Sequence, residues 1–451
     1  MRITKAQAIA ITVLNIIIAA LLVVIFALPK LRAGNADSSG PSDVVVTPPD
    51  DPTNDPEKPP EHVKLRTASS GAVPEIDRET RLMGNGDESA VAVYFRSGTA
   101  YIFGNATVAG LDFDSYGGFL CTVNGAGTIL SFDYFDGNIS AVCDTGAGYA
   151  VCAAEKLYFV DYACTVTGET ELDGAALDVF AVGNDKLAVV TQPAPTALKF
   201  SEYTFVGGTA NVAAAYSTRI DSGYTLKYFD CYDFGESFVI SARAYSLPRY
   251  DSAVFFKFVP GGDAAAHYYG GSGDRLTRPY CSMPCSAGYF ALASKNGVAT
   301  VISVDYSFMN YHSYSLGFTF TDARLLYANG KYYACFDRTD GAVTYELESD
   351  LSRRKLSVLD GIFIDCAIKT DRVLITGAVP EIGAAGEKNY TSAQITSPYS
   401  DYILSLDVID PIFYGGFDND GKLTLIMSAK GGAALSAPTA GRDVYVVTIV
   451  K

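Results

Sequence analysis

The stretch Ala150-Val-Cys-Ala-Ala-Glu-Lys-Leu-Tyr-Phe-Val-Asp161 contains the unit from which most of this chain is built. It combines a short apolar strand, a tight turn and a second apolar strand that ends in an acidic residue. With Ala150–Ala154, the first half of the unit has eight copies, and successive copies start 31 to 52 residues apart. The other seven are Phe119–Val123, Leu187–Thr191, Phe238–Ala242, Phe290–Ser294, Tyr332–Phe336, Val373–Gly377 and Leu423–Met427.

The second half of the unit is a strand that ends in an acid. It recurs at Gly127–Asp133, Lys156–Asp161, Val298–Asp305, Ala342–Glu348 and Tyr402–Asp407. Asn-Gly and Asp-Gly pairs between strands tolerate the positive φ that tight hairpins need. Since the chain is also rich in Tyr, Phe and Gly and only 19% charged, these patterns predict an all-β body.

A period of roughly 40–50 residues made of short strands and turns is typical of propeller blades. The segment 66–451 resembles the β-propeller superfamily through this repeat, and through Tyr269–Asp274 and Gly441–Ile449, which look similar to parts of bacterial surface propellers. The chain departs from the superfamily's Trp-Asp signature because it contains no Trp. The resemblance implies a single closed β-propeller of seven or eight blades, with paired β-sandwiches or an open solenoid as alternatives.

A closed ring requires the last sheet to be completed by chain from the other end. The final run Asp443–Val450 is apolar and β-branched, as a buried strand should be. We expect either His62–Thr67 or Val91–Phe95 to pair beside Val444–Val450.

Ahead of this body, residues 6–28 form an apolar run that would span about 34 Å as a helix. That length suffices for a hydrocarbon core of about 30 Å. The segment 34–65 is rich in Pro and Asp and has too few large apolar residues to form a core, which predicts a disordered stalk. We therefore expect residues 1–33 to form a cytoplasmic tip and one transmembrane helix, with residues 66–451 outside the cell membrane. A cleaved signal peptide is the alternative.

The charge of the body restricts its partners. Positions 34–451 carry 30 basic and 50 acidic residues, a net charge of −20. Nucleic acid is therefore excluded as a partner, because its binding needs basic patches. We expect a monomer that is held at the membrane by its helix and binds a protein or a glycan.

No catalytic set is recognisable in the sequence. The three histidines are His62, His267 and His312, and no Gly-x-Ser-x-Gly motif adjoins them. No phosphate-binding Gly loop or dinucleotide fingerprint is present, so we assign no catalytic residue, no cofactor-binding residue and no cofactor. A binding or scaffolding module is favoured. A hydrolase or lyase acting on extracellular carbohydrate is the alternative, since carboxylates are plentiful.

Several smaller motifs leave alternatives open. Asp418-Asn-Asp-Gly421 resembles half of a calcium loop, but a hairpin turn explains it as well. Cys281-Ser-Met-Pro-Cys285 is interpreted first as a loop with two unrelated thiols and second as a local disulfide, so no metal site is assigned. By contrast, the equivalent repeat positions of Cys121, Cys152 and Cys335 predict buried packing thiols.

Two surface motifs complete the sequence. The basic cluster Arg353-Arg-Lys355 is expected to be a solvated turn. Asn105, Asn138 and Asn389 match glycosylation acceptors.

Overall fold

In this computed structural model the described residues are β-structure joined by short connections. They are residues 63–64, 76–82, 86–108, 117–182, 186–206, 209–234, 237–259, 264–285, 288–328, 331–338, 341–347, 353–359, 363–368, 373–382, 388–396, 403–406, 408–409, 412–419, 422–430, 435 and 441–450. The apolar run 6–28 and nearly all of the segment 34–65 lie outside them. No helix among the described residues is long and apolar enough to cross a membrane.

The described strands form eight sheets, which we number in chain order. Their pairings are antiparallel except for one two-residue parallel pairing at the edge of sheet 6. Sheet 1 contains β3 (Gly86–Arg96), β4 (Thr99–Val108), β5 (Gly118–Asn124) and β6 (Ile129–Phe135). Sheet 2 contains β7 (Ile139–Asp144), β8 (Gly148–Ala153), β9 (Lys156–Asp161) and β10 (Val166–Glu171). Sheet 3 contains β11 (Ala176–Val182), β12 (Lys186–Ala194), β13 (Ala197–Val206) and β14 (Thr209–Arg219). Sheet 4 contains β15 (Thr225–Asp233), β16 (Phe238–Ser246), β17 (Tyr250–Phe258) and β18 (Ala265–Ser272).

The remaining four sheets follow the same order. Sheet 5 contains β19 (Thr277–Cys285), β20 (Gly288–Lys295), β21 (Val298–Asp305) and β22 (Tyr311–Ser315). Sheet 6 contains β23 (Asp322–Ala328), β24 (Lys331–Arg338), β25 (Gly341–Leu347) and β26 (Arg353–Leu359). Sheet 7 contains β27 (Phe363–Ile368), β28 (Val373–Ile382), β29 (Lys388–Thr396) and β30 (Ile403–Leu406). Sheet 8 contains β31 (Ile412–Asn419), β32 (Lys422–Ala429), β33 (Asp443–Val450) and, from the other end of the chain, β2 (Ile76–Leu82).

Each of the eight sequence copies lies in a different sheet. Seven of them form the second strand of their sheet, whereas Phe119–Val123 lies in β5, the third strand of sheet 1. The second strand of sheet 1 is β4, which was not recognised as a copy. This shift of one strand explains why the first interval, 31 residues, is the shortest.

The strand that completes sheet 8 comes from the N-terminal side, as expected, but it is neither of the two expected segments. It is β2, which pairs antiparallel with β33 from Ile76↔Ile449 to Leu82↔Val444. Val91–Phe95 instead lies in β3, and the two-residue strand β1 (Val63–Lys64) pairs with β26. The sequence of β2, Ile-Asp-Arg-Glu-Thr-Arg-Leu, is polar, as suits an exposed outer strand, so it lacks the apolar signature of a buried strand.

Neighbouring sheets share their cores. The first strand of each sheet contacts the first strand of the next, and β31 of sheet 8 contacts β3 of sheet 1. Ile426 and Val446 of sheet 8 pack in one buried cluster with Ile102 and Phe119 of sheet 1. The apolar surface of each sheet is thus buried against the neighbouring sheet rather than in one central core.

Candidate functional site

Two contacts between sheets are built on the same three tyrosine positions. In the first seam, between sheets 1 and 2, the buried ring of Tyr149 lies 5.2 Å from Tyr94 and 5.3 Å from Tyr162. Tyr94 comes from the first strand of sheet 1, and its hydroxyl donates to the backbone oxygen of Val142 at 2.7 Å. Tyr149 is the second residue of β8, and Tyr162 follows β9.

In the second seam, between sheets 4 and 5, Tyr289 takes the place of Tyr149. Its buried ring lies 5.6 Å from Tyr232 and 6.1 Å from Tyr306. The hydroxyl of Tyr232 donates to the backbone oxygen of Ser282, again at 2.7 Å. In both seams, therefore, the tyrosine rings pack together and the hydroxyl of the first-strand tyrosine donates to the backbone of the neighbouring sheet.

The residue before each central tyrosine is a glycine for a steric reason. A Cβ at Gly148 would clash with the carbonyl oxygen of Val160, and one at Gly288 would clash with that of Val304. The third strand therefore approaches the second most closely next to Tyr149 and Tyr289. This local requirement produces a Gly-Tyr pair at the start of both second strands.

The acid that ends the third strand organises the turn into the fourth strand. The Asp161 carboxylate accepts the backbone N–H groups of Ala163 and Thr165, and Cys164 adopts a positive φ of 66°. The Asp305 carboxylate accepts the backbone N–H of Met309 and the side chains of Ser307 and Asn310. Burial opposes ionisation of Asp305, but these hydrogen bonds outweigh it and lower the pKa of this carboxyl. The repeated acid thus caps a turn.

The turn of sheet 5 is one residue longer than the turn of sheet 2. The backbone N–H of Asp161 donates to Thr165, whereas that of Asp305 donates to Asn310. In both turns the positive-φ residue, Cys164 or Phe308, donates to the acid's own carbonyl oxygen. The additional residue is therefore Met309, and its side chain is 81% exposed.

Met309 lies between two exposed tyrosines, Tyr306 and Tyr311, along the chain. We call Tyr306, Met309 and Tyr311 the aromatic turn surface; all three side chains are exposed. The hydroxyl of Tyr306 donates to the backbone oxygen of Cys285. The ring of Tyr311 lies 5.2 Å from the buried Tyr269. These contacts hold the exposed groups in place.

The support of this surface is buried Phe308. Its ring stacks on His267 with centroids 4.7 Å apart, and its backbone oxygen accepts the hydroxyl of Tyr269 at 3.1 Å. Burial and the nearby Lys257 lower the pKa of His267, so this histidine is a neutral packing group near pH 7. An exposed Met and two Tyr on a rigid base are suited to binding a protein, since these residue types are enriched in protein interfaces.

A second candidate is a pair of carboxylates on the first strands of sheets 3 and 4. Asp178 accepts the hydroxyl of Tyr228 and the backbone N–H of Val179, while Asp230 accepts the backbone N–H of Cys231. Burial raises the pKa of Asp178, and burial together with the charge of Asp178 raises the pKa of Asp230 to about 6. The raised pKa suits Asp230 to proton transfer near neutral pH, whereas Asp178 already accepts a hydrogen bond across the two sheets from Tyr228.

The remaining sequence candidates are dispersed. His312 is exposed on β22, the last strand of sheet 5, whereas the carboxylate pair lies on the first strands of sheets 3 and 4. His62 lies outside the described residues. Within the described part of the chain, no group of three or more His, Cys, Asp and Glu side chains is arranged to hold a metal ion.

The first cysteine prediction is confirmed, and the second is right that the two thiols are not joined but wrong about the loop. Cys121, Cys152 and Cys335 are buried, as predicted from their repeat positions, and burial raises the pKa of Cys121 to about 12. Cys281 and Cys285 lie on strand β19 rather than in a loop, and no disulfide joins them. Four residues of extended chain separate them by about 13 Å, too far for a disulfide.

Among the small surface motifs, only the basic cluster is placed differently from expectation; the glycosylation and calcium-loop interpretations stay predictions. Arg353–Lys355 begins strand β26 and is not a turn. The side chain of Asn105 exchanges two hydrogen bonds with the backbone of Ile139, so it joins sheets 1 and 2. β31 ends at Asn419 and β32 begins at Lys422, so the turn expected at Asp418–Gly421 falls on two residues outside the described part.

The sequence analysis did not identify Met309, Asp178 or Asp230. A signal for the turn was present: Gly-Tyr opens the second strand and Asp-Tyr closes the third in both sheet 2 and sheet 5. Aligning Asp161-Tyr with Asp305-Tyr shows the additional residue directly. Nothing comparable marks the carboxylate pair, because its members come from different sheets.

Comparison with known proteins shows the fold. The structure is similar to the WD40 domain of SCAP from fission yeast, with 11% identity, 82% of this chain and 97% of that chain covered, and a TM-score of 0.51. BamB from Moraxella catarrhalis (12% identity, 84% and 100% covered, TM-score 0.49) and Sqt1 from Saccharomyces cerevisiae (6% identity, 69% and 96% covered, TM-score 0.44) are also similar. No family model and no curated protein matches the sequence. The chain has the repeated four-stranded sheets of the β-propeller proteins, which its sequence resembles.

Proposed function

We propose that this protein is a membrane-tethered, extracytoplasmic propeller that binds a partner protein through the aromatic turn surface. Its eight sheets form a closed ring of blades. Support for closure comes from β2 in sheet 8 and from the contact of β31 with β3. Support for tethering comes from the apolar run 6–28 and the Pro/Asp-rich segment that follows it.

One observation carries the binding proposal: the turn of sheet 5 contains an additional residue, and that residue is an exposed methionine between two tyrosines. An apolar residue inserted into a solvent-facing turn contributes nothing to the core. In sheet 2 the shorter turn forms the same capping bonds without it. The methionine therefore serves a contact outside the chain, since Met and Tyr adapt well to protein surfaces.

The binding proposal is tested by photo-cross-linking in the cells that express the full chain. A photoreactive amino acid replaces Met309 or, as a control, Val212, which is 58% exposed on β14. We expect a protein adduct of one defined mass at position 309 and none at position 212. Tyr306→Glu, combined with the probe at position 309, should abolish the adduct. Equal adducts at both positions, or none at position 309, would contradict the proposal.

The tethering proposal has its own test. Protease added outside intact cells should release the body by cutting within the segment 34–62, because chain that is rich in Pro and Asp and poor in apolar residues is readily cleaved. Release only after the membrane is permeabilised would show the opposite orientation. Release into the medium without protease would show a cleaved signal peptide.

The second candidate function is carbohydrate hydrolysis at the carboxylate pair. Its specific observation is that Asp178 and Asp230 lie on neighbouring first strands beside Tyr228 and Tyr232, and that the pKa of Asp230 is raised to about 6. Glycosidases use a pair of carboxyl groups, one of which has a raised pKa and acts as the general acid. Reducing ends released from envelope glycan by the full chain, and lost in Asp230→Asn, would establish this function.

A further inference from the structure

We propose that strand β6, the outer edge of sheet 1, is a second binding site, separate from the aromatic turn surface. It accepts an extended peptide of alternating basic and apolar residues, which adds to the sheet as a further strand. β6 has the sequence Ile-Leu-Ser-Phe-Asp-Tyr-Phe and is the last strand of its sheet. Within the described part of the chain, no strand pairs with its outer side. Its backbone is thus placed to bond an added strand.

The exposed side chains of β6 are unusually large and apolar for an edge. Leu130 and Tyr134 are each 58% exposed, and Ile129 and Phe132 are exposed as well. Phe132 stacks on the buried Phe119 with centroids 5.3 Å apart, so the row is fixed to the sheet. An added strand would cover these side chains and remove their apolar surface from water.

The outer strands of three other sheets are protected in recognised ways. β2 and β10 carry charged residues, and Glu169 of β10 forms an ion pair with Lys156 on the neighbouring strand. β22 has only five residues. Charge, short length and covering are the devices by which proteins keep sheet edges from pairing. β6 has seven residues with a single charge, so an exposed edge of this kind points to a partner.

The chain itself shows that an outer edge can accept a strand. β1 adds to the outer strand of sheet 6 in parallel, with Val63 opposite Ser357 and Lys64 opposite Val358. This added strand combines one apolar and one basic residue. The same mode at β6, with a longer segment, requires no change in the sheet.

The charges on and beside β6 determine which kind of peptide strand would bind to it. Asp133 and Asp136 are exposed on and beside β6, and the body carries a net charge of −20 over positions 34–451. A second copy of β6 would place like charges together and is disfavoured. Lysines or arginines that alternate with apolar residues would satisfy both the carboxylates and the exposed row.

The test measures binding of a fluorescent acetyl-Lys-Val-Lys-Val-Lys-Val-Lys-amide to the full chain in detergent by anisotropy. The control peptides replace every Lys by Glu, or the central Val by Pro. We expect binding of the Lys-Val peptide alone. In the Leu130→Lys/Tyr134→Lys variant, affinity should fall by at least about tenfold. The matched variant Val212→Lys should keep affinity within about twofold.

A single substitution keeps the test decisive if the double variant fails to fold. Asp133→Lys reverses one exposed charge on β6 and should lower affinity by about fivefold at low salt. Equal binding of the Glu-Val peptide, equal losses in Val212→Lys, or no binding at all would overturn the proposal. So would a dimer of the full chain that Tyr134→Lys dissociates, because the occupant of the edge would then be a second copy.

Discussion

The seam around Tyr149 and the seam around Tyr289 have the same interior and different surfaces. Each buries a central tyrosine between a first-strand tyrosine and a turn tyrosine. At the surface, Tyr162 of the first seam lies under the guanidinium of Arg96, 3.6 Å from the ring centroid, and its hydroxyl donates to Asp144. The second seam exposes Tyr306, and the additional residue Met309 follows three positions later.

This difference indicates that the repeat determines the residues of the interior, whereas the residues of the surface turns are free to vary with function. The interior must satisfy close packing and buried hydrogen bonds, so the same residue types recur in both seams. A turn at the surface tolerates an inserted residue at little cost. A ligand-binding feature is therefore expected where two equivalent turns differ, and not where they agree.

The largest effect is expected from deleting Val444–Lys451. β33 lies between β2 and β32, and Val444, Tyr445, Val447 and Ile449 are fully buried. Its loss leaves β2 without a partner strand, leaves β32 paired on one side only and uncovers the core shared with sheet 1. We therefore expect both seams to lose cooperative unfolding together. Calorimetry of the full and truncated chains in detergent measures this. A truncated chain that melts like the full chain would show that the ring is not closed.

The central tyrosines provide the next largest effect. Tyr149→Ala and Tyr289→Ala should each lower the free energy of unfolding by about 3–5 kcal/mol, because each leaves a large cavity. Tyr→Phe at either position should raise it by about 1 kcal/mol, since each hydroxyl is buried without a hydrogen-bond partner among the described residues. Urea unfolding checks both series. If the two alanine variants lose clearly different amounts of unfolding free energy, the two seams are not equivalent.

Asp230→Asn tests the carboxylate pair between the seams. Because the folded-state pKa of Asp230 is raised to about 6 from 3.8, the folded chain binds this proton more tightly than the unfolded chain. The resulting stability is present below about pH 4 and is lost as pH rises through about 6. At pH 7 the Asn variant should therefore be more stable by about 1–2 kcal/mol, with no gain at pH 4. Asp133→Asn, an exposed control, should show no such difference; the same pH dependence in both variants would refute the assignment.

The smallest effect on stability is expected from deleting Met309. The turn then has the length found in sheet 2, so the free energy of unfolding should stay within about 0.5 kcal/mol. Deleting Ala163 from the turn of sheet 2 is the matched control, and it should cost about 1–2 kcal/mol because the turn becomes too short for its capping bonds. Thermal melts compare the two. A large loss on deleting Met309 would make this residue structural and remove the basis of the binding proposal.

Sequence patterns succeeded where a residue's environment is set by its neighbours along the chain. The copies of the apolar strand count the sheets correctly, and Cys121, Cys152 and Cys335 are buried because a small apolar residue is needed at that repeat position. The acid after the third strand was noticed as a pattern, and its role as a turn cap follows from local geometry. These features depend on strand period and turn chemistry, which a sequence expresses directly.

Patterns failed where the environment is set by chain from elsewhere. β2 was missed because an outer strand is polar, and only its partner β33 shows that it completes sheet 8. Arg353–Lys355 was assigned to a turn, but it begins strand β26 and pairs with β25. Cys281 and Cys285 look adjacent in sequence and are separated by the extension of β19.

By itself, the sequence determined the all-β class, the eight repeats, the net negative charge and the apolar run 6–28, because composition and period are properties of the chain alone. Tertiary structure decided which strand completes the last sheet, which tyrosines meet across the seams, and which apolar residues stay exposed on β6 and on the aromatic turn surface. The physical reason is that exposure and contact belong to pairs of sheets. Tyr149 is covered by the neighbouring sheet, whereas Tyr134 is exposed to solvent. The sequence alone does not distinguish these two strand tyrosines, because it does not show which sheet lies next to them.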